Sequence, residues 1–364
     1  MSGETAVSER EQKILGIIAT ARGKRARFRD PQITMSHGAG GKATQTLIEG
    51  LFLPILGGET LGEMADAGAV SMDGVELAFT TDSYVVKPLR FPGGSIGELA
   101  VNGTVNDLAV SGARPIALTL SLILEEGLSA EDLRAEIEAI ARAAAAAQVA
   151  IVAGDTKVVE RGHADGMYIT TSGIGRRDAR AALSPALLSP GDRILLSGSI
   201  GEHGTAIMLA RGEFELDADI ESDTRSLWPA VDALLEAAGG SVRCIRDATR
   251  GGVASVLNEL ARASSVAMIV REGDVPVHPA VAGAAEILGI DPMYVANEGK
   301  FVAFVAPEAA EAALAALRGV PGCEQAAEIG EVRTEPPGMV LVQTSFGGRR
   351  VMDQLVGDPL PRIC

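Results

Sequence analysis

At 364 residues, 47% of them hydrophobic and 22% charged, the chain has a globular composition and is long enough for two cored domains. A formal charge of -16 and 3% aromatic residues exclude a nucleic-acid partner, which would need clustered Lys and Arg and stacking rings. No apolar run approaches the roughly 18 residues of a spanning helix. The cysteines Cys244, Cys323 and Cys364 show no CxxC spacing, which fits a reducing compartment and excludes a thiolate metal site. A cytoplasmic protein that engages no membrane is expected.

Residues 1–32 read as a polar, basic, flexible leader. The apolar run 14–19 precedes its basic cluster, the wrong order for a secretory signal. Next comes His37-Gly38-Ala39-Gly40-Gly41-Lys42, with apolar residues at helical spacing behind it. A glycine loop running into a helix can turn several backbone N–H groups toward a phosphate. Ser36 and Ala43 stand where a Walker A loop needs Gly and Ser/Thr, so this is not one.

A strand over 76–81 delivers Asp82, and a helix over 96–113 carries Asn102, Asn106 and Asp107. A strand follows at 116–124, then an Ala-rich helix capped by Ser129 and ending at Gln148. The apolar run 149–153 predicts a buried strand ending in Gly154-Asp155-Thr156-Lys157, and a further strand covers 166–172. The pattern loosens near 176–190, the expected boundary between an N-terminal domain (33–175) and a C-terminal domain (176–345).

The second half reads as strand 193–197, a helix to 210, a helix 227–237 and strand 242–246 delivering Asp247. A helix to 263, a strand at 266–270 and a helix at 279–288 come next. Asn297-Glu298-Gly299-Lys300 leads into strand 301–305, followed by helix 307–318 and strands near 324–332 and 339–343. Strands and helices mix without strict alternation, which predicts α+β. Residues 346–364 read as a mobile tail: Pro359 and Pro361 deny it an interior helix, and it ends on the Cys364 thiol.

Four aspartates, Asp82, Asp107, Asp155 and Asp247, follow apolar stretches or lie on an apolar helix. Hard cations such as Mg²⁺ take several carboxylate oxygens and arrive carrying substrate phosphates, so with Lys42 and the glycine loop these residues suit a Mg-nucleotide site. Lys157, placed after a buried strand, is partly desolvated for acid–base work, a phosphate clamp or, just as readily, a plain surface lysine. Glu298 is a candidate general base. Cys244 follows a core-strand pattern, whereas Cys323 reads as a loop thiol.

These motifs together resemble the HypE family of hydrogenase maturation factors, carbamoyl dehydratases of the aminoimidazole-ribonucleotide-synthetase-like superfamily. The resemblance runs from Ile33 to Cys364. It rests on HGAGGK (37–42), TTDSYVV (80–86), GELAVNGTVNDLAVSGARP (97–115), GDTKVVE (154–160), RDATRGG (246–252), NEGK (297–300) and the terminal PRIC (361–364). It implies a two-domain fold whose N-terminal domain pairs with a second copy into a shared β-barrel, and hence a homodimer.

It also implies that Cys364 receives a carbamoyl group from the carbamoyltransferase HypF. ATP then drives dehydration to a thiocyanate, and the cyanide passes to iron on the HypC–HypD complex. On that basis Asp82, Asp107, Asp155 and Asp247 hold Mg²⁺. His37, Gly38, Gly40, Gly41, Lys42, Asn106, Thr156 and Asn297 hold ATP, and Lys157 and Glu298 act on the carbamoyl oxygen and nitrogen. A small-molecule kinase or synthetase of the same superfamily, or a non-enzymatic carrier with a thiol tail, are the rival readings.

Overall fold

The computed structural model describes residues 27–57, 65–212 and 218–355. Most of the basic leader, and Cys364 with the residues before it, lie outside that range. A 3-10 turn at Met35–Gly38 leads to α1 (Lys42–Leu47), a π turn over Ile48–Phe52 and α2 (Leu53–Leu56). The first sheet is built from β1 (Gly68–Met72) and β2 (Val75–Tyr84), with a small ribbon β3 (Arg90–Phe91) and β4 (Gly94–Ser95) beside it. Then come α3 (Ile96–Val110), β5 (Ala113–Glu125), α4 (Ala130–Ala146), β6 (Ala150–Val159) and β7 (Met167–Arg177). The strand order is β1-β2-β7-β5-β6, antiparallel except for β5 with β6.

One face of this sheet is covered by α3, against which α4 packs; Ser129 caps α4 by accepting from the Asp132 N–H. Among the described residues nothing covers the other face, where Val70, Met72, Phe79 and Ile123 are exposed beside a polar band of Thr81, Ser83, Thr170 and Ser172. Large apolar side chains left open on a sheet mark an interaction surface. The apolar run before Asp155, expected to be buried, forms instead the edge strand β6, exposed along almost its whole length. Its residues are as apolar as a core strand's, but among the described residues no sixth strand covers the edge.

The second domain comprises β8 (Arg193–Leu196), α5 (Glu202–Ala210), α6 (Trp228–Ala238), β9 (Val242–Asp247), α7 (Gly252–Ala263) and β10 (Ala267–Arg271). It continues through α8 (Pro279–Leu288), β11 (Phe301–Val305), α9 (Ala310–Arg318), β12 (Ala327–Arg333), β13 (Met339–Gln343) and β14 (Arg349–Met352). The sheet order is β14-β13-β10-β12-β8-β11-β9. Strand alternation sends Ile194, Leu196, Val302 and Phe304 into a core with α7, and Leu195, Phe301 and Val305 into one with α6 and α9. Strand β11, one in from the edge, is buried on both faces, which is why it reads as unbroken FVAFV.

Two expectations are refined here. Cys323 lies in the loop between α9 and β12, as read, but the loop thiol is buried against the α6–α9 core, with Arg225 Nη2 3.2 Å from its sulfur. The segment 349–352, assigned to the tail, pairs antiparallel with β13, and Met352 and Gln354 are buried. Burial drives the Cys244 thiol up to about 12, as suits a packing cysteine. Among the described residues, no helix is long and apolar enough to cross a membrane.

The two domains meet along α3, which is buried on nearly every side. An all-round apolar helix of this kind belongs inside a protein. Its glycines let it sit close on its own sheet: a Cβ on Gly103 would stand 2.2 Å from the Tyr84 hydroxyl of β2.

Candidate active site

Alternation along β2 places Thr80, Asp82 and Tyr84 on the side facing α3. Asp107 projects from the last turns of α3 toward them. The Thr80 hydroxyl lies 2.8 Å from both the Asp66 carbonyl oxygen and Asp107 Oδ2. With one proton to give, it satisfies both acceptors only when Asp107 itself carries a proton. The electrostatics agree. Burial, then the charges of Asp247, Asp66 and Asp82, hold Asp107 well above the usual carboxylate range.

Asp247, at the end of β9, is raised by burial and by Asp66 and Asp82, against the pull of Arg246. Asp66 just before β1 is raised by burial, although Arg246 Nη1 sits 2.8 Å from its Oδ1. Asp82 is exposed at the mouth of the cleft, yet the surrounding protein removes enough water to raise it too. Asp66 was not singled out in the sequence, because it sits between alanines with no apolar strand leading into it.

Asp82, Asp107 and Asp247 therefore come together at the domain junction, with Glu298 beside them. Burial, then repulsion from Asp247, Asp223 and Asp82, holds Glu298 well above its usual range, with Arg250 opposing. Among the described residues, no three carboxylate, imidazole or thiol groups stand close enough to enclose a metal ion on their own. The donor set still suits one. Several buried oxygen ligands repel each other, and a hard divalent cation completing its shell with phosphate oxygens and water would relieve that repulsion.

The glycine loop rests on the turn that opens α7. Gly40 has φ +76, and a Cβ there would fall 2.7 Å from Arg250 Cγ; Gly251 and Gly252 of the facing turn also have positive φ. Gly38 has open space around it and Gly41 is the N-cap of α1. His37 is buried and already engaged: its Nδ1 accepts from the Thr34 N–H at 3.0 Å, and Nε2 lies 3.0 Å from Asp30 Oδ2. It shapes the loop rather than presenting a free ring to a ligand. The Lys42 ammonium sits 3.1 Å from Asp353 Oδ2.

The turn carrying Glu298 is fixed from two sides. Asn297 is fully buried: its Oδ1 accepts from the Gly201 N–H at 2.7 Å, and its Nδ2 donates to Ala248 O at 2.9 Å and Val295 O at 3.2 Å. The Glu298 N–H donates to Asp223 Oδ1 at 2.9 Å, and Lys300 Nζ lies 3.0 Å from Asp223 Oδ2. Burial alone would raise Asp223; Lys300 and the Glu298 N–H outweigh it and bring the carboxyl below its usual range. Gly299 admits no side chain, since a Cβ would meet the Asp223 carbonyl oxygen at 1.9 Å.

Asn106, next to Asp107, is a strut rather than a nucleotide ligand. Its Nδ2 donates to Arg225 O at 2.9 Å and Glu298 O at 3.0 Å, and its Oδ1 accepts from the Leu227 N–H at 2.7 Å. Asn106→Ala deletes three buried bonds and orphans their partners, so denaturant unfolding is expected to show a loss of about 3 kcal/mol. Nucleotide affinity is expected to fall only as far as the Glu298 turn shifts.

Asp155, Thr156 and Lys157 lie apart, on edge strand β6. Lys157 is exposed rather than desolvated, and its Nζ sits 2.6 Å from Asp155 Oδ2. That hydrogen bond, then the Thr156 N–H, lowers the Asp155 carboxyl. Three strand spacings separate β6 from β2, about 14 Å across the sheet. The described chain thus assembles three of the four aspartates and Glu298, and leaves the fourth aspartate and Lys157 on the free edge.

The sequence of residues 64–177 matches the family "AIR synthase related protein, N-terminal domain", and 189–342 match "AIR synthase related protein, C-terminal domain". The chain is 47% identical over 337 residues to the carbamoyl dehydratase HypE of Bradyrhizobium diazoefficiens, covering 93% of this chain and 97% of that protein. Among solved structures, HypE in its complex with HypF superposes with a TM-score of 0.81 at 43% identity, covering 85% of this chain and 99% of that one. HypE in complex with ATP gives a TM-score of 0.76 at 44% identity, covering 92% and 100%. With the site at the junction of two such domains, and relatives this similar along nearly their whole length, the chain belongs to the HypE family of AIR-synthase-related hydrogenase maturation proteins.

Proposed function

We propose that this chain dehydrates an S-carbamoyl group on its own Cys364 at the expense of ATP, supplying cyanide for the iron of a NiFe hydrogenase. The observation that carries the reading is the cluster of buried Asp107, Asp247 and Glu298 with Asp82 at its mouth, set at the domain junction near a glycine loop. The ATP-bound and HypF-bound relatives support nucleotide and HypF as ligands of this chain. Delivery of the product to a HypC–HypD complex completes the sequence.

The balance is simple. S-carbamoyl cysteine and ATP give S-cyano cysteine, ADP and phosphate; the carbamoyl oxygen leaves on phosphorus and the nitrogen loses two protons. An amide oxygen is a poor leaving group until it is phosphorylated, so the protein's work is positioning and charge control. Asp82, Asp107 and Asp247 would hold Mg²⁺, which supplies charge neutralisation on the phosphates. Gly38 leaves open room for phosphate, Gly40 and Gly41 shape the turn into α1, and Lys42 brings a positive charge to the loop. Glu298 takes a proton from nitrogen; the burial and repulsion that raise its pKa make its ionised form a stronger base.

Asp155, Thr156 and Lys157 join this site only across a dimer. The open sheet face and the uncovered edge β6 support pairing of two N-terminal domains into a shared barrel, which would set one chain's β6 against its partner's site. Lys157 then steadies charge growing on the carbamoyl oxygen.

Intact mass tests the reading. With HypF and a carbamoyl donor, the chain is expected to gain about 43 Da on Cys364, falling to a gain of about 25 Da when MgATP is added. Turnover of a free small molecule by a Cys364→Ser chain would establish the kinase reading instead. A mass that never falls, with ATP unconsumed, would establish a carrier.

A further inference from the structure

The ladder between β13 and β14 ends at Met352, and the three residues that follow are held by side chains from three separate elements. Asp353 is the centre of this grip. Its Oδ1 lies 3.3 Å from Arg262 Nη2 of α7 and accepts from the Gln354 N–H at 2.8 Å. Its Oδ2 lies 3.1 Å from Lys42 Nζ at the start of α1, and its carbonyl oxygen accepts from the Tyr294 hydroxyl at 2.9 Å. Arg262 also reaches Gln354 Oε1 at 2.9 Å and Gln45 Oε1 of α1 at 2.8 Å, and the Lys42 N–H donates to Leu355 O at 3.4 Å.

We infer that Asp353 is a positioning residue for the dehydration proposed above: through Arg262 and Lys42 it fixes where, and beside which loop, the terminal segment leaves the fold. The inference rests on that functional reading, and it follows from reach. Only nine residues come after Leu355, so Cys364 can lie no more than about 30 Å from its point of departure. An intramolecular reaction of a tethered group depends on the effective concentration its root allows, and a small misplacement costs about 10²-fold in rate. Lys42 belongs to the glycine loop as well, so the root of the segment and the phosphate-side loop are one bonded unit. A plain β-strand end would need neither cation.

The test compares reaction of the attached segment with reaction of a detached one. Single-turnover conversion of carbamoylated chain is followed by intact mass at saturating MgATP. In parallel, Cys364→Ser chain converts a synthetic peptide of residues 356–364 carrying the S-carbamoyl group. Asp353→Ala is expected to slow conversion of the attached segment at least tenfold, leave ATP affinity within about twofold and leave peptide conversion unchanged. Asp353→Glu, which can still reach both cations, is expected to recover most of the attached rate.

Equal attached rates in Asp353→Ala and the unaltered chain would overturn the inference. So would parallel losses with the detached peptide, which would place the damage in the site itself. Failure of the unaltered chain to convert its own segment would fell the functional reading, and the inference with it.

Discussion

Equal amounts of Asp107→Asn and Lys157→Ala chains, each inactive alone, are expected to regain about a quarter of the normal conversion rate when their dimers are allowed to exchange. Within one chain Lys157 is three strands from β2 and exposed, bonded to Asp155, so it cannot serve the cluster that holds Asp107. If the partner's β6 supplies it, half the mixed population is heterodimeric, and each heterodimer has one site with both groups intact. That site combines Asp107 of the Lys157→Ala chain with Lys157 of the Asp107→Asn chain. Conversion measured before and after subunit exchange checks this. No recovery would remove Lys157 from the chemistry, and full activity of Lys157→Ala alone would do so more directly.

Asp107→Asn is expected to lower the dehydration step by about 10²–10³-fold while making the protein more heat-stable. Burial and three neighbouring carboxylates raise the Asp107 carboxyl. A carboxyl whose folded pKa is raised stabilises the fold while protonated; that contribution is present below the ordinary carboxylate range and lost as pH rises through the raised value. Asn stays neutral, and its amide can donate to the Thr80 oxygen just as a protonated Asp107 does.

The metal-free, unaltered protein should therefore lose more stability between pH 5 and pH 8 than the variant does. At pH 8 the variant should melt about 1–2 °C higher per kcal/mol of repulsion removed. Added Mg²⁺ and nucleotide should close much of that gap by stabilising the unaltered chain. Calorimetry at the two pH values decides, and a variant less stable than its parent at pH 8 would show that the cluster is not repulsive.

Part of this site was legible in the sequence because apolar strands ending in acid are conspicuous: Asp247 is the last residue of β9, whereas Asp82 lies inside β2, which runs on to Tyr84. Two kinds of information were not local. The run before Asp155 looks like a core strand, and its burial depends on what covers the edge, which periodicity does not report. The bracing bonds of Asn106 and Asn297 escape the sequence for the same reason, since their backbone partners lie up to 192 residues away. Lys42 and Asp353 are 311 residues apart, so nothing near either one announces the other.

The helix Ile96–Val110 carries, side by side, a residue that fastens the two domains and one that belongs to the reactive cluster. Any change in the angle between the domains therefore drags the carboxylates along with it. A hinge opening of the kind common in two-lobed enzymes would dismantle this pocket rather than admit substrate. Substrate entry is therefore expected to leave the angle between the domains unchanged.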